Sequence, residues 1–294
     1  MFKHIPVLPE EVLKNFESLD KGEIIVDGTL GRGGHSKILL DKGFKVIGID
    51  RDEDAIVEVE RSLSGENGLK IVHSNFFCIK EVLFGLKVEK VGGILLDLGV
   101  STPQLENDER GFGFVGELDM RMDRSQELTA KMVVNEYSEE ELERVLYKNG
   151  ERVNAKNIAR SIVEFRADGE IESGERLLEI VEKSIGESYR KSRRHHWATP
   201  TFRALRIEVN KDYENIEKFF DLFVNCLRKG GILQIITFHS IEDKIVRKRL
   251  RELKQKKIMK LITKKPIEAT LKEIMKRNLI WIIILIYLLE VWKT

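Results

Sequence analysis

The sequence predicts an α/β protein whose parallel, doubly wound sheet is interrupted by an inserted helical module. Apolar runs alternate with helix-forming segments over the first hundred residues. The candidate strands are 24–27, 45–50, 69–73 and 93–98. The chain then becomes polar and helix-rich, and strand character returns only at 231–238. We therefore predict one discontinuous α/β domain, residues 1–106 and 213–294, and an inserted helical domain over 107–212 that could hold a substrate.

The first candidate strand runs into a glycine-rich turn over residues 27–36, and a helix follows from about Lys37. This order brings bare backbone close to a nucleotide-like ligand, because glycine lacks the Cβ that would block the approach. The second strand ends in Asp50, where a carboxylate is placed to bind ribose hydroxyls. The pattern indicates an adenosine-containing cofactor, with a purely structural turn as the alternative.

The composition of the turn favours S-adenosylmethionine over a dinucleotide. The third glycine of a dinucleotide fingerprint is missing, because Gly34 is followed by His35 and Ser36. The turn opens with Asp27, which suits an ammonium group and suits a pyrophosphate badly. Another strand ends in Asp97, so three acids stand at three predicted strand ends, where ligands of such sheets bind.

Composition places the chain among ordinary globular proteins. It has 294 residues, a formal net charge of +1 and two cysteines, Cys78 and Cys226. Neither a disulfide framework nor a metal-ligand spacing is present, so we predict no metal. The first residues lack the apolar region of a signal peptide, which predicts a cytoplasmic protein with no membrane partner.

Two basic stretches stand out against the balanced charge. The first, Arg190–Arg206, interleaves Trp197 and Phe202 with its cations, and we predict that it stacks on and binds RNA. Its candidate contacts are Arg193, Arg194, Trp197 and Arg203. The second stretch, 244–265, is either a solvated helix face or a phosphate-binding surface.

Three further segments carry structural predictions. A capping box at Ser138 and the periodicity of 158–165 predict helices in the inserted module. Residues 227–231 are interpreted as a helix end followed by a glycine turn. The apolar run 279–289 is too short to span a bilayer, and is either a buried strand that closes the sheet or an exposed hydrophobic end.

Several of these motifs together resemble the bacterial 16S rRNA cytosine-N4 methyltransferases (the RsmH/MraW family) over residues 4–247. The resemblance rests on Asp27-Gly28-Thr29 with 31–36, on 94–101 with 103–105, on Arg110-Gly111-Phe112, on Leu-Asp-Met-Arg-Met-Asp at 118–123, and on Phe238-His239-Ser240 with Glu242-Asp243. It implies a Rossmann-like sheet that uses S-adenosylmethionine, and an insert that recognises RNA. It also implies N4-methylation of a decoding-region cytidine of 16S rRNA in the small ribosomal subunit. The cofactor-binding residues that it implies are Gly33, Gly34, His35, Asp50, Phe76, Asp97 and Gln104.

The chain departs from the family pattern after Pro266, where an arginine-rich segment is replaced. We interpret this as a shift of the reading frame near Ile267. Two alternatives stay open: a methyltransferase acting on another acceptor, and an RNA-binding protein made inactive by the altered tail.

The exocyclic amine of cytosine is a weak nucleophile because its lone pair is delocalised into the ring. A group that accepts an amine hydrogen would restore nucleophilicity, and Asp97 is the first candidate catalytic residue, with cofactor contact as its alternative role. The segment 119–123 could also supply this group, or could be a salt-bridged loop. His239 could act as a general base, but a buried, hydrogen-bonded histidine is the more ordinary role. Phe112, Phe114 and Trp197 are candidates for base stacking or for core packing.

Overall fold

The computed structural model describes residues 6–192, 196–262, 267–268 and 285–291. The chain divides into two compact units. The first unit comprises Met1–Gly99 and Tyr213–Thr294, and the second comprises Val100–Asp212. The first unit holds the sheet, and the second holds helices.

The sheet unit follows the predicted alternation of strands and helices. Its strands are β1 (Ile24–Asp27), β2 (Lys45–Asp50), β3 (Leu69–His73), β4 (Val91–Asp97), β5 (Leu227–Thr237), β6 (Met259–Leu261), β7 (Ile267–Glu268) and β8 (Leu285–Val291). The helices up to β4 are α1 (Pro9–Phe16), α2 (Gly34–Asp41), α3 (Glu53–Ser62) and α4 (Ile79–Gly85). The helices that flank β5 are α12 (Asp212–Leu222) and α13 (Ser240–Gln255).

The strand order is β3-β2-β1-β4-β5-β8-β6, and β7 pairs with β8. The first five strands of this order are parallel to one another, which makes the unit an α/β fold of the Rossmann-like kind, as predicted. β8 runs antiparallel to β5, β6 and β7. Of the apolar run 279–289, the part that the structure describes therefore belongs to a sheet strand.

Alternate side chains of the central strands pack into two cores on opposite faces of the sheet. On one face, Val26, Ile94 and Leu233 pack with residues of α4, α12 and α13. On the other face, Ile25 and Leu95 pack with residues of α1 and α2. Because both faces are covered, these strands are apolar throughout, which is why they are visible in the sequence.

The segment 227–231 is not the helix end that the sequence predicts. Leu227 is the first residue of β5 and pairs with Val91 of β4, while α12 has already ended at Leu222. A 3₁₀ turn, Phe223–Cys226, makes the connection. The glycines at 230 and 231 lie inside the strand, next to a register shift between Val91 and Gly93.

The helical unit contains α5 (Thr102–Glu106), α6 (Ala130–Glu136), α7 (Glu139–Asn149), α8 (Ala155–Arg166), α9 (Gly174–Ser184), α10 (Glu187–Ser192) and α11 (Thr199–Asn210). The capping box predicted at Ser138 is formed with Glu141, and α8 contains the periodic segment 158–165. Apolar residues of α6 to α9 and of α11 build one core of this unit.

We expect Phe219→Ala to destabilise the sheet unit by about 3–5 kcal/mol, the usual cost of truncating a buried aromatic residue. Phe219 is fully buried, and its ring stacks on Phe223 at 4.9 Å and packs edge-on against Phe76. Urea unfolding would measure the loss. Phe84→Ala is the matched control, because Phe84 is 85% exposed and its truncation should change stability by less than about 0.5 kcal/mol. Equal effects of the two substitutions would contradict the packing described.

Candidate active site

Three carboxylates stand at the carboxyl ends of three neighbouring strands. Asp27 ends β1, Asp50 ends β2 and Asp97 ends β4. The strands are parallel and adjacent in the order β2-β1-β4, so their last residues lie along one edge of the sheet. This is the edge at which open α/β sheets bind their ligands.

The glycine turn between β1 and α2 is tied to the neighbouring strand β2. The Leu30 N–H donates to the Ile49 carbonyl at 3.0 Å, and the Gly31 N–H donates to Asp50 Oδ2 at 2.7 Å. Leu30 is buried over Gly48, where a Cβ would meet Leu30 Cδ1 at 2.6 Å. The turn is therefore held in place by the strand whose acid it contacts.

Two glycines of the turn adopt positive φ angles, +50° at Gly31 and +75° at Gly33. A Cβ at Gly33 would also meet Leu63 Cδ1 at 2.9 Å, so packing as well as backbone conformation requires glycine there. A Cβ at Gly31 would have only the Thr29 carbonyl within 4 Å, at 3.9 Å. The backbone at Gly31 is therefore open to a ligand.

Asp27 orders the turn from beneath and does not face a ligand. It is 1% exposed, accepts a hydrogen bond from Ser36 Oγ at 2.7 Å, and receives a longer one from the Thr29 N–H. Burial raises the pKa of Asp27 to about 6, against the lowering effect of these two donors. The expectation that Asp27 suits an ammonium group is therefore wrong, because burial removes its carboxylate from the ligand side.

Asp50 is positioned by backbone donors on both of its oxygens. Oδ1 accepts the Asp52 N–H at 2.9 Å, and Oδ2 accepts the Gly31 N–H. Burial raises the pKa of Asp50, and the two backbone hydrogen bonds counteract that effect. Since a carboxylate has about four lone-pair sites, this fixed group retains capacity for further donors such as ribose hydroxyls.

Asp97 is hydrogen-bonded to Thr29 and lies near His35. The Asp97 N–H donates to Thr29 Oγ1 at 2.6 Å, and His35 Nδ1 lies 3.8 Å from Asp97 Oδ2. His35 Nε2 is 2.7 Å from the Val7 carbonyl, which can only accept, so Nε2 carries the proton in the neutral ring. The Asp97 side chain is 22% exposed, so this positioned carboxylate is partly accessible to solvent.

The remaining predicted cofactor residues divide between the two units. Phe76 follows β3 and lies beside the start of the turn, because a Cβ at Gly28 would be 3.2 Å from Phe76 Cβ. Gly34 begins α2 against the ring of Pro6. Gln104 belongs to the helical unit, where its Oε1 accepts the Ser101 N–H at 2.9 Å in a capping box.

Sequence reasoning missed Thr29 and Ser36 as parts of the site. Both carry hydroxyls that join the turn to a carboxylate: Thr29 to the backbone of Asp97, and Ser36 to the side chain of Asp27. Their presence in the motif was visible, but hydroxyl residues in a turn have many uses. The partner of Thr29, Asp97, is distant in sequence. The bond from Ser36 to Asp27 depends on which side of the turn faces the core.

His239 has a structural role in the sheet unit. It is 9% exposed and caps α13, with Nδ1 accepting the Glu242 N–H at 3.3 Å. Its Nε2 lies 3.8 Å from the buried Glu242 carboxylate. The structure therefore supports the buried, hydrogen-bonded histidine rather than the general base.

The predicted RNA-binding stretch is only partly described. Arg193 and Arg194 lie outside the described residues. Trp197 is half-buried against the helical core and packs on His196 with ring centroids 4.6 Å apart, and Arg203 is half-buried on α11. Phe202 is 3% exposed, so its predicted availability for stacking is wrong: it fills the core of the unit.

Most cations of this stretch that the structure describes are already neutralised. Arg190 pairs with Glu182, Lys191 pairs with Glu187 at 2.6 Å, and Arg206 lies 3.3 Å from Asp212. The side chains of the last pair are only 11% and 10% exposed. In the described part of this stretch, the positive charge at the surface is thus weaker than the sequence predicts.

The charged motif at 118–123 forms a salt-bridged loop, as its alternating signs suggested. Asp119 pairs with Arg121 through both oxygens at 2.7 and 2.9 Å. Burial opposes ionisation of Asp119, but Arg121 outweighs it and holds the pKa of that carboxyl below its usual value. Asp123 Oδ1 accepts hydrogen bonds from the Ser125 N–H at 2.9 Å and from the Ser125 hydroxyl at 2.6 Å.

The family model described as the MraW methylase family matches residues 1–280. The chain belongs to the MraW methylase family. It is 42% identical to the ribosomal RNA small subunit methyltransferase H of Clostridium botulinum (strain Kyoto / Type A2), covering 92% of this chain and 94% of that protein. It is 43% identical to the protein of the same name from Persephonella marina, covering 93% and 94%.

Among solved structures, an rRNA methylase from Streptococcus thermophilus is similar at a TM-score of 0.44 and 14% identity, covering 100% of this chain and 99% of that one. As an MraW methylase, the chain is a methyltransferase whose cofactor is S-adenosylmethionine.

The carboxyl edge of the sheet carries groups whose chemistry fits this cofactor. S-adenosylmethionine presents ribose hydroxyls, a flat apolar base and charged groups. The edge presents a fixed carboxylate at Asp50, the open backbone at Gly31, the apolar ring of Phe76 and a second carboxylate at Asp97. We find no group of three or more metal-ligating side chains among the described residues.

The raised pKa of Asp27 predicts a pH dependence of stability. Its folded-state pKa of about 6 exceeds the ordinary value of 3.8, so the folded state binds more protons between these pH values. Wild-type stability should fall by up to about 3 kcal/mol as the pH rises from 4 to above 6. Asp27→Asn should lack this loss. Urea unfolding at a series of pH values would compare them, with the exposed Asp41→Asn as control. Parallel curves for wild type and Asp27→Asn would refute the assignment.

Asp50→Ala should weaken S-adenosylmethionine binding at least about 10-fold, because hydrogen bonds to a charged group are worth about 1.5–3 kcal/mol. The substitution also frees the Gly31 N–H that positions the turn. Isothermal titration calorimetry would report the dissociation constant. Glu53→Ala, an exposed neighbour on α3, should bind like wild type. An unchanged dissociation constant for Asp50→Ala would exclude Asp50 from the cofactor site.

Proposed function

We propose that this protein transfers a methyl group from S-adenosylmethionine to N4 of a cytidine in the decoding region of 16S rRNA, within the small ribosomal subunit in the cytoplasm. Relatives at 42–43% identity carry the name ribosomal RNA small subunit methyltransferase H, which supports the rRNA substrate. The cytidine and its position come from the resemblance of the sequence motifs. The observation that carries the chemistry is the partly exposed Asp97 carboxylate beside His35 and the glycine turn.

The cofactor, when bound, supplies an electrophilic methyl group on a sulfonium. Asp50 would hold the ribose hydroxyls of the cofactor. The cofactor would approach the backbone at Gly33 and Gly34, and Phe76 would cover its apolar base. His35 would act mainly through Asp97, because its Nε2–H is already engaged by the Val7 carbonyl. The resemblance of the sequence motifs also assigns Gln104 of the helical unit to the cofactor.

Asp97 would activate the nucleophile. Methyl transfer forms a bond between N4 and the methyl carbon, breaks the sulfur–carbon bond, and requires one N4 proton to leave. A carboxylate that accepts an N4 hydrogen draws electron density back to the nitrogen, and it can take that proton as the bond forms. The Asp97 backbone is anchored by Thr29 and its side chain faces His35, so the acceptor is held in place before the substrate arrives.

The RNA would be read by the helical unit. Trp197 would stack on an unpaired base, and Arg193, Arg194 and Arg203 would contact phosphates. The target cytidine must be unpaired or flipped out for its amine to reach the cofactor.

Labelled methyl transfer to small subunits that lack the modification, followed by nucleoside analysis, tests the proposal. N4-methylcytidine is the expected product. A methylated nucleoside of another kind would replace the proposed target. Cofactor binding without transfer would favour the inactive RNA-binding protein.

Asp97→Asn should lower turnover at least about 100-fold, the usual contribution of a positioned proton acceptor, while the dissociation constant of S-adenosylmethionine changes little. Steady-state kinetics and calorimetry would separate the two quantities. Asp20→Asn, an exposed acid before β1 at the opposite edge of the sheet, is the control. If Asp97→Asn weakened cofactor binding and left turnover at saturation intact, Asp97 would be a cofactor contact and not the proton acceptor.

A further inference from the structure

We propose that the outer face of α13 in the sheet unit is a binding surface for the phosphate backbone of the RNA substrate. We call it the α13 basic face. Its members are Lys244, Lys248, Arg251 and Lys254 of the helix and Lys256 and Lys257 of the turn that follows. The inference deepens the proposed function and rests on it, because it assigns the docking surface of the same substrate.

The α13 basic face is exposed along its whole length. All six side chains belong to exposed residues. Lys244, Lys248 and Arg251 recur at spacings of four and three, so they form one stripe. The apolar residues Val246 and Leu250 are buried on the opposite side. At a rise of about 1.5 Å per residue, α13 is roughly 24 Å long, enough to follow several nucleotides of a strand.

The charges of this helix are sorted between its two sides. Arg247 pairs with Asp243 at 2.7 Å, and Arg249 pairs with Glu217 at 3.3 Å and with Asp221. Glu242 is buried beneath His239. The acids near α13 are thus occupied by Arg247, Arg249 and the helix cap. Within the described ranges, none of the six cations of the α13 basic face has an ion pair.

The cations of Arg190–Arg206, the stretch that the sequence favours for RNA binding, differ in their ion pairs from those of the α13 basic face. There, Arg190, Lys191 and Arg206 are each paired with an acid. A cation already paired must lose that partner to bind a phosphate, whereas an unpaired cation needs only to release water and counterions. Of these two stretches, the α13 basic face is therefore the better suited to bind phosphate in the part of the chain that the structure describes.

The position of α13 connects this surface to the catalytic edge. α13 begins directly after β5, and β5 pairs with β4 so that Ile236 lies beside Asp97. Lys244 lies in the second turn from that edge, and Lys256 and Lys257 lie at the far end. An RNA strand along the α13 basic face would therefore lead to the edge that holds the cofactor site.

The burial of the apolar side favours RNA over a membrane surface. A helix that binds an acidic bilayer inserts its apolar face between the lipids. Here Val246, Leu250 and Leu253 belong to the core of the sheet unit and are not available for insertion. The exposed side presents cationic side chains and the polar Gln255, which suits a phosphate chain in water.

The test is the salt dependence of RNA binding by the full chain. The probe is a fluorescein-labelled oligocytidylate, followed by anisotropy over a series of KCl concentrations. In the variant Lys244→Gln, Lys248→Gln and Arg251→Gln, the slope of log affinity against log salt should fall in magnitude by about 2, since each single-strand phosphate contact contributes about 0.7. Catalytic efficiency on small subunits should fall at least tenfold, with S-adenosylmethionine binding unchanged.

The matched control removes three charges elsewhere in the sheet unit. Lys14→Gln, Lys70→Gln and Lys90→Gln change exposed lysines away from α13, and this variant should keep the wild-type slope. If wild type methylated the subunits but the α13 variant kept the wild-type slope and efficiency, the inference would fall and the proposed function would stand. Equal losses in the control, or α13-dependent binding to phosphatidylglycerol vesicles without any effect on RNA binding, would also overturn it. A wild-type chain that methylates no RNA would instead remove the proposed function.

Discussion

The hydrogen bonds of the glycine turn are the constraint on which the rest of the site depends. The buried carboxylate of Asp27 holds the turn from below through Ser36 and the Thr29 N–H. The same turn reaches outward to both other acids, because the Gly31 N–H binds Asp50 and Thr29 Oγ1 accepts the Asp97 N–H. Three strand ends are thereby joined by one loop, and a displacement of the turn would shift Asp50 and Asp97 together.

The strands and their terminal acids could be predicted because parallel strands covered on both faces are apolar along their whole length. β1, β2 and β3 have the predicted bounds, and Asp50 and Asp97 stand where the pattern placed them. The role of Asp27 could not be predicted, because nothing local to the sequence tells which of three similar acids is buried. The start of β5 was missed for a related reason: Leu227 becomes a strand residue by pairing with Val91, far away in the chain.

Charge was the property least visible in the sequence. Arg190 and Arg206 stand in acid-free stretches, yet Glu182 and Asp212 neutralise them once the helices have formed. Glu252 is the one acid in the stretch at 244–257, and Asp243 directly precedes it; these acids pair with Arg249 and Arg247, and the exposed lysines and Arg251 keep their charge on the outer side. The local count of charges thus differs from the surface charge, because folding decides which partners meet.

The strand β8 also changes what kind of surface the sheet presents. It pairs with β5 from Thr237 to Ile232 and carries β6 on its other side, so the backbone of β5 is satisfied on both flanks. Without β8, the long apolar β5 would be an open edge, and open edges recruit strands from other molecules. β8, residues 285–291, therefore covers an edge at which other molecules could pair. This role is separate from any contact with cofactor or RNA.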